Sequence, residues 1–270
     1  MSFDLVESDR HRWLRPRLLT LPGLLAGFTT RQRREPGSFV WTNHWSFRDP
    51  AGLEHSAGFQ EHVAEILPKG SQTAIERQIH STRITILENE PGSSSHPHFI
   101  TPDNDAQLTD RQGLFCLAQS ADCCVGLLAI PERRVIGVFH AGWRGAAAGL
   151  PRLVISEACR RYSCEPGECL VGLGPTIQQA SYQVSRDVFD AVGDPRFFVD
   201  DPHAERKFRF DLPGLVRSQL VAAGVPPSQL AVCERDTCAE PAWFHSHRRD
   251  GESHGLQVGF IGWTGPTGHV

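Results

Sequence analysis

The sequence predicts a mixed α/β protein with central mixed sheets and helices on the outside. Three observations point there. Apolar runs at 114–118 (LFCLA), 124–130 (CVGLLAI) and 135–139 (VIGVF) are short and bounded by turn residues, as buried strands are. Segments at 146–162 and 212–223 carry apolar residues at helical spacing. Strand-like and helix-like segments alternate as far as residue 233. The 270 residues read as a single domain over 1–270 without internal repeats, and 263–270 as a loose tail.

Along the chain, 18–30 (LLTLPGLLAGFTT) read as short strands broken by Gly and Pro, and 31–37 (RQRREPG) as a charged loop. Over 53–67, Phe59, Val63, Ile66 and Leu67 follow helical spacing, and Pro68 ends the helix. Residues 70–79 turn polar and lead to His80, ahead of an alternating strand at 83–88 (RITILE). Residues 90–112 are dense in Pro, Gly, Ser, Asp and Asn and read as a long exposed connection. In the 146–162 helix, Leu150, Leu153, Val154 and Ala158 form an apolar stripe. Pro151 fits only near a first turn, which leaves the start of that helix open. A strand at 170–174 (LVGLG) and a short helix at 185–192 follow. The 212–223 helix, ended by Gly224 and Pro226, and a strand near 230–233 complete the pattern.

Hydrophobic residues make up 40% and charged ones 21%, so a chain this long buries a core without needing disulfides. With 27 basic and 31 acidic residues the net charge is -4, which offers no footprint for nucleic acid or an anionic membrane. The opening MSFDLVESDRHRWLRP has charge where a signal peptide is apolar, and no run approaches the roughly 18 apolar residues of a membrane span. The expectation is a cytoplasmic protein acting on a small solute. Its eight cysteines are then free thiols, apart from any metal ligand or nucleophile.

Ser120-Ala121-Asp122-Cys123-Cys124 sets an acid and two thiols among the apolar runs. Downstream, His140 closes a strand in FHAGWRGAAAG, with Gly142 and Gly145 in the turn that opens a helix. Strand ends facing such a turn are where α/β proteins place ligand sites, and free backbone N–H groups near Gly145 favour an anion. Arg144 adds a bidentate contact for phosphate or carboxylate. His80 lies in another polar turn. His80, Cys123 and His140 together suit zinc, or copper less selectively, with the open fourth position of a catalytic site. The same residues also allow a metal-free reading, with Cys123 as nucleophile and His140 as base. Cys116, Cys124, Cys159 and Cys169 read as small buried apolar residues, and Cys233 with Cys238 lacks a second pair to make a zinc site. A copper oxidase acting on phenols needs many paired H-x-H clusters. The chain has His96-Pro97-His98 and His245-Ser246-His247 only.

Gln78-Ile79-His80, Ala121-Asp122-Cys123 and His140-Ala141-Gly142-Trp143-Arg144-Gly145, in that order, resemble the YfiH family. That family was long labelled multicopper polyphenol oxidase, or laccase domain, and is now described as purine nucleoside phosphorylase. Gly27-Phe28-Thr29-Thr30-Arg31, Asn43, Gly174-Pro175 and Tyr182-Gln183-Val184 resemble further family elements. So do Cys238, Phe244, Ser246, Arg248 and Arg249, and the likeness spans roughly 20–250. It implies one YfiH-type domain and a zinc-binding His80–Cys123–His140 trio. It also implies phosphorolysis of adenosine, inosine, guanosine and S-methyl-5′-thioadenosine, with some adenosine deamination. Copper-dependent phenol oxidation was the older assignment. Phosphate and substrate contacts would come from Arg31, Asn43, Gln78, Arg144, Gly145 and Arg248. Asp122 or a histidine would give the leaving purine its proton. The chain departs from the family at Cys123-Cys124-Val125, which lacks the usual Pro, and at His247, where Tyr is usual. It also lacks the T-G-R that often follows, at Asp250-Gly251-Glu252-Ser253-His254-Gly255.

Overall fold

The structure is a computed structural model and describes residues 2–34, 65–88 and 98–265. Its strands are β1 (Phe3–Glu7), β2 (His11–Pro16), β3 (Leu24–Arg33), β4 (Gln72–Glu76), β5 (Ile84–Ile86), β6 (His98–Thr101), β7 (Ala106–Thr109), β8 (Leu114–Ser120), β9 (Cys124–Ile130), β10 (Val135–Ala141), β11 (Leu170–Leu173), β12 (Gln183–Val184), β13 (Phe198–Asp200), β14 (Phe208–Phe210), β15 (Leu230–Val232) and β16 (Gln257–Trp263). Its helices are α1 (Trp143–Ala147), α2 (Leu150–Tyr162), α3 (Arg186–Val192), α4 (Leu212–Ala222) and α5 (His247–Asp250).

Two large mixed sheets stack face to face. One runs β1-β2-β3-β16-β8-β4-β6 and the other β15-β11-β9-β10-β7-β5, with a small third sheet β12-β14-β13. Cys116 and Ala118 of β8 and Ile261 of β16 share a buried layer with Val125, Leu127 and Ala129 of β9 and Val138 of β10. On the far face of the second sheet, Leu128, Ile130 and Phe139 pack against Val154 and Ala158 of α2 and Val216 and Leu220 of α4. The order is sheet, sheet, helices. Strands in the middle of such a stack are covered on both faces, so every residue of β9 and β10 is buried. The period of two survives in where the side chains go: Leu127 faces the other sheet and Leu128 the helices.

The strands at 83–88, 114–118, 124–130, 135–139, 170–174 and 230–233 and the helices at 185–192 and 212–223 stand with small boundary shifts. Other readings are corrected. Residues 70–79 contain β4, an interior strand paired in parallel with β6 and β8. Residues 90–112 contain β6 and β7, although 89–97 lie outside the described residues. Thr101, Asn104, Asp105, Gln107 and Thr109 are buried there. Partners inside the protein satisfy them, as when Thr101 Oγ1 donates to Ile75 O, Asn104 Nδ2 to Ala106 O and Thr109 Oγ1 to Leu87 O. Arg31, Gln32 and Arg33 continue β3 instead of opening a loop. Trp263, assigned to the tail, is buried at the end of β16, between β3 and β8. The 146–162 helix is two helices, broken at Gly149 (φ 82), and Pro151 falls in the first turn of α2. Residues 53–64 of the helix at 53–67 lie outside the described residues, and Leu67 is buried.

Candidate active site

β9 and β10 pair antiparallel so that Ala141 faces Cys124. The end of β10 and the turn before β9 therefore meet at one edge of the second sheet, and they carry His140 and Cys123. His80 comes across from the turn after β4, in the first sheet, where its backbone takes φ 60. The ligand atoms of the three lie within 4.8 Å of one another. Cys123 Sγ is 3.8 Å from His80 Nε2, and the two imidazole rings meet edge-on with centroids 4.9 Å apart. His140 is buried, Cys123 half-buried and His80 exposed, so the trio runs from the core out to solvent.

Asp105, which the sequence reading missed, holds this arrangement together. It is wholly buried just ahead of β7. Its carboxylate accepts hydrogen bonds from the backbone N–H groups of Ile79 (3.3 Å), His80 (3.0 Å) and Ser81 (2.5 Å), and from Ser81 Oγ (2.7 Å). Asp105 Oδ1 also lies 3.0 Å from His140 Nδ1. One carboxylate thus closes the His80 turn and orients the His140 ring, leaving Nε2 for the trio. Burial would raise the Asp105 carboxyl, but hydrogen bonds from His140 and Ser81 outweigh it and hold the group at about 2. Its one signal in the sequence is an acid directly before the short AQLT stretch, inside a segment polar enough to pass for a loop.

The same balance acts on Cys123 and His140. Burial would raise the thiol, but the His140 cation and hydrogen bonds from both histidines pull it down to about 6. Burial would lower His140, but the Cys123 thiolate and Asp105 push it up to about 10. Cys124, the next residue, is pushed up to about 12, chiefly by burial.

The residues present fit a metal ion. Two imidazoles and a thiolate are a zinc donor set, and the Asp105–His140 contact is the carboxylate support that metal-ligating histidines commonly have. The space is kept open by Gly142, where an added Cβ would lie 2.6 Å from His80 Cδ2 and 3.1 Å from Cys123 Sγ. At Gly145 a Cβ would come 3.2 Å from Ser81 O. That glycine therefore serves the packing of α1 against the His80 turn, and it lies outside the pocket lining.

The trio lines a cavity of about 660 Å³, within the range of small-molecule sites. Trp143, Tyr182 and Leu256 supply apolar wall, and Arg144 and Arg248 supply charge. Arg144 stacks 4.2 Å from the Trp143 ring centroid. Arg248 lies 5.3 Å from that of Tyr182 and donates to Gln183 O at 2.7 Å. Gln78 also lines the cavity, but its amide pairs both ways with the Gln119 backbone at 2.7 Å, tying the His80 turn to the end of β8. Asp122, at φ 91, accepts from Thr237 Oγ1 (2.6 Å), Ser246 Oγ (3.0 Å) and the Arg248 backbone N–H (2.7 Å). Arg31 is not brought in: its guanidinium donates to Pro241 O at 3.1 Å, outside the cavity lining. Asn43 lies outside the described residues. Glu76 is a second residue the sequence reading missed. It is buried at the pocket wall, and neither carboxyl oxygen has a hydrogen-bond partner among the described residues. Burial raises its carboxyl well above the usual carboxylate range, against the pull of His140.

Known proteins resemble this chain along most of its length. The family described as multi-copper polyphenol oxidoreductase laccase matches residues 55–264. Purine nucleoside phosphorylase YlmD of Geobacillus stearothermophilus is 30% identical over 270 residues, covering 96% of this chain and 97% of that protein. Adenosine deaminase RL5, from an unknown prokaryotic organism, is 29% identical over 185 residues, covering 66% of this chain and 70% of that protein. The crystal structure of the hypothetical protein YfiH of Bacillus licheniformis has a TM-score of 0.81 at 26% identity, covering 97% of this chain and 99% of that one.

Proposed function

The chain belongs to the multi-copper polyphenol oxidoreductase laccase family, the YfiH family, and on that premise we propose that it is a purine nucleoside phosphorylase. One observation carries the reading: two imidazoles and a thiolate converge beside two arginines in a pocket large enough for a nucleoside. We assign it adenosine, inosine, guanosine and S-methyl-5′-thioadenosine as substrates, with adenosine deamination as a second activity. Zinc is the ion assigned to His80, Cys123 and His140, with copper the poorer fit. The chain is assigned to the cytoplasm as one domain, without a nucleic-acid or membrane partner. No helix among the described residues is long and apolar enough to cross a membrane.

In phosphorolysis the bond from ribose C1′ to the purine nitrogen breaks and a bond from C1′ to a phosphate oxygen forms. The purine leaves with the electron pair and takes up a proton. Arg144 and Arg248 hold the phosphate through charge-assisted hydrogen bonds. Trp143 and Tyr182 offer ring faces for the base. A pocket histidine gives the leaving purine its proton, because the Asp122 carboxylate already accepts from Thr237, Ser246 and the Arg248 N–H. Asp122 fixes the Arg248 backbone against the Cys123 turn, and Gln78 fixes the His80 turn. His80, Cys123 and His140 would hold the zinc ion, which would supply Lewis acidity when bound.

The low-lying Cys123 thiol beside a raised His140 favours a second reading, a metal-free cysteine hydrolase. Incubating the purified chain with adenosine, with and without phosphate, separates the two when its metal content is measured alongside. Phosphorolysis yields adenine and ribose 1-phosphate only with phosphate present, and inosine formed without phosphate reports deamination. A metal-free protein that does neither returns the hydrolase to first place.

A further inference from the structure

Cys123 is the one cysteine the pocket uses. Three others meet elsewhere. Cys159 lies near the end of α2, Cys164 just beyond that helix, and Cys169 directly before β11. Their sulfur atoms all lie within 4.8 Å of one another, with Cys159 and Cys164 at 3.5 Å. Leu170 pairs with Ala129, near the end of β9 opposite Cys124. Six residues of strand therefore separate this cluster from the pocket edge, about 20 Å.

The local fold explains two of the three thiols. Ser163 takes a left-handed φ of 51, and the Cys164 N–H donates back to Cys159 O at 3.2 Å. Such helix ends bring the flanking side chains into contact, and two thiols fill that role as small apolar groups. Cys169 is outside that motif. A separate turn over Pro166–Glu168 delivers it, closed by reciprocal hydrogen bonds between Glu165 and Glu168 and by the Cys169 N–H on Pro166 O at 3.1 Å. Two independent turns thus aim three thiols at one point. Cys164 and Cys169 are buried and Cys159 is half-buried, which leaves a side open to solvent.

We propose that Cys159, Cys164 and Cys169 form a second metal site, independent of the pocket and its reading, that takes one univalent copper ion in three-coordinate thiolate ligation. Thiolates select soft ions. Zinc would need solvent as its fourth ligand, since among the described residues no imidazole or carboxylate joins this group, whereas univalent copper is complete with three thiolates. Three sulfurs at about 2.3 Å from one ion stand roughly 4 Å apart, between the observed 3.5 Å and the 4.8 Å bound. On binding, three S–H bonds give up their protons to solvent and three copper–sulfur bonds form. Copper stays univalent, and the complex carries two negative charges. The Arg133 guanidinium donates to Ser163 O at 2.9 Å and lies 3.9 Å from Glu168, so the Cys164 turn carries one cation and one anion.

The test uses the full chain with Cys123→Ala, reduced and anaerobic, so that the pocket trio no longer supplies a thiolate. Cuprous ion is titrated in against a chromophoric cuprous chelator. The expected result is one copper retained per chain, with three sulfur neighbours by X-ray absorption. Adding Cys164→Ser should lower the affinity by about a hundredfold or more at an unchanged melting temperature. If Cys164→Ser lowers the melting temperature, Cys159→Ser at the half-buried position is read instead. Loss of all copper to the chelator, two sulfur neighbours, equal retention after the serine substitution, or four-coordinate zinc held in preference to copper would each overturn the proposal. None of these outcomes bears on nucleoside turnover.

Discussion

Cys123 and Cys124 are neighbours in sequence and opposites in chemistry. Cys123 ends a turn where two imidazoles face it, and its thiol is pulled down to about 6. Cys124 begins β9, points into the helix-covered core and is pushed up to about 12. The residue type is the same and the chain advances by one position. In a strand one position changes the face, and here the face decides between a low-lying thiol beside two imidazoles and a packing group.

The sharpest way to break this contrast is to delete each thiol in turn. Cys123→Ala should lower phosphate-dependent adenosine cleavage by about a thousandfold or more with the fold intact. Cys124→Ala should keep turnover near wild type and lower stability by about 1 kcal/mol, the scale for losing a small buried volume. Measured kcat/KM and denaturant midpoints decide it, and essential Cys124 with dispensable Cys123 would reverse the assignment of faces.

Alkylation against pH sharpens the same contrast in metal-stripped protein. Cys123 should react with a half-maximum near pH 6, because its thiolate persists down to there, and lose reactivity as pH falls further. Cys124 should stay unlabelled until the chain unfolds. Labelling sites mapped by mass spectrometry report both, and a Cys123 midpoint near the ordinary thiol value of about 8.5 would remove the imidazole pairing.

Gly142 tests the space between the ligands. At φ -69 its backbone accepts alanine, so Gly142→Ala acts only through the methyl group that would press on His80 and Cys123. Metal affinity should fall by about 10–100-fold while melting changes little.

The last effect concerns Asp105. Its carboxyl is held at about 2 against an ordinary 3.8, so the ionised form favours the folded state. That stabilisation is full above pH 4 and fades as pH falls through about 2, about 2 kcal/mol in all. Asp105→Asn should lower stability near neutral pH and flatten the acid limb between pH 4 and 2 in urea titrations.

What was legible in the sequence follows from the physics of each signal. The strands around the trio are apolar on both faces because both faces are covered, so short apolar runs located them. The trio was legible because its residues carry the family's three motifs, His80 and Cys123 in turns and His140 near the end of β10. Asp105 and Glu76 were not, because each is a single acid within or beside a short strand rich in polar residues. Only the folded chain shows that Asp105 gathers its hydrogen bonds from residues 79–81 and 140, while Glu76 has none among the described residues. β4, β6 and β7 were hidden for a related reason. Their buried Thr, Asn and Gln side chains find partners within the protein, and composition alone cannot tell a satisfied polar residue from an exposed one. Arg31 shows the converse, since a residue of a family motif can stay outside the cavity lining.

The proposed function rests on His80, Cys123 and His140 acting as one metal-binding catalytic site. Its most direct test is the metal content of protein purified without added metal, measured for the wild type, Cys124→Ala and Cys123→Ala. One zinc per chain is expected in the first two, and loss of zinc together with phosphate-dependent turnover in the third. Zinc retained in Cys123→Ala at the wild-type level, or full turnover from a wild-type chain stripped of metal, would contradict it.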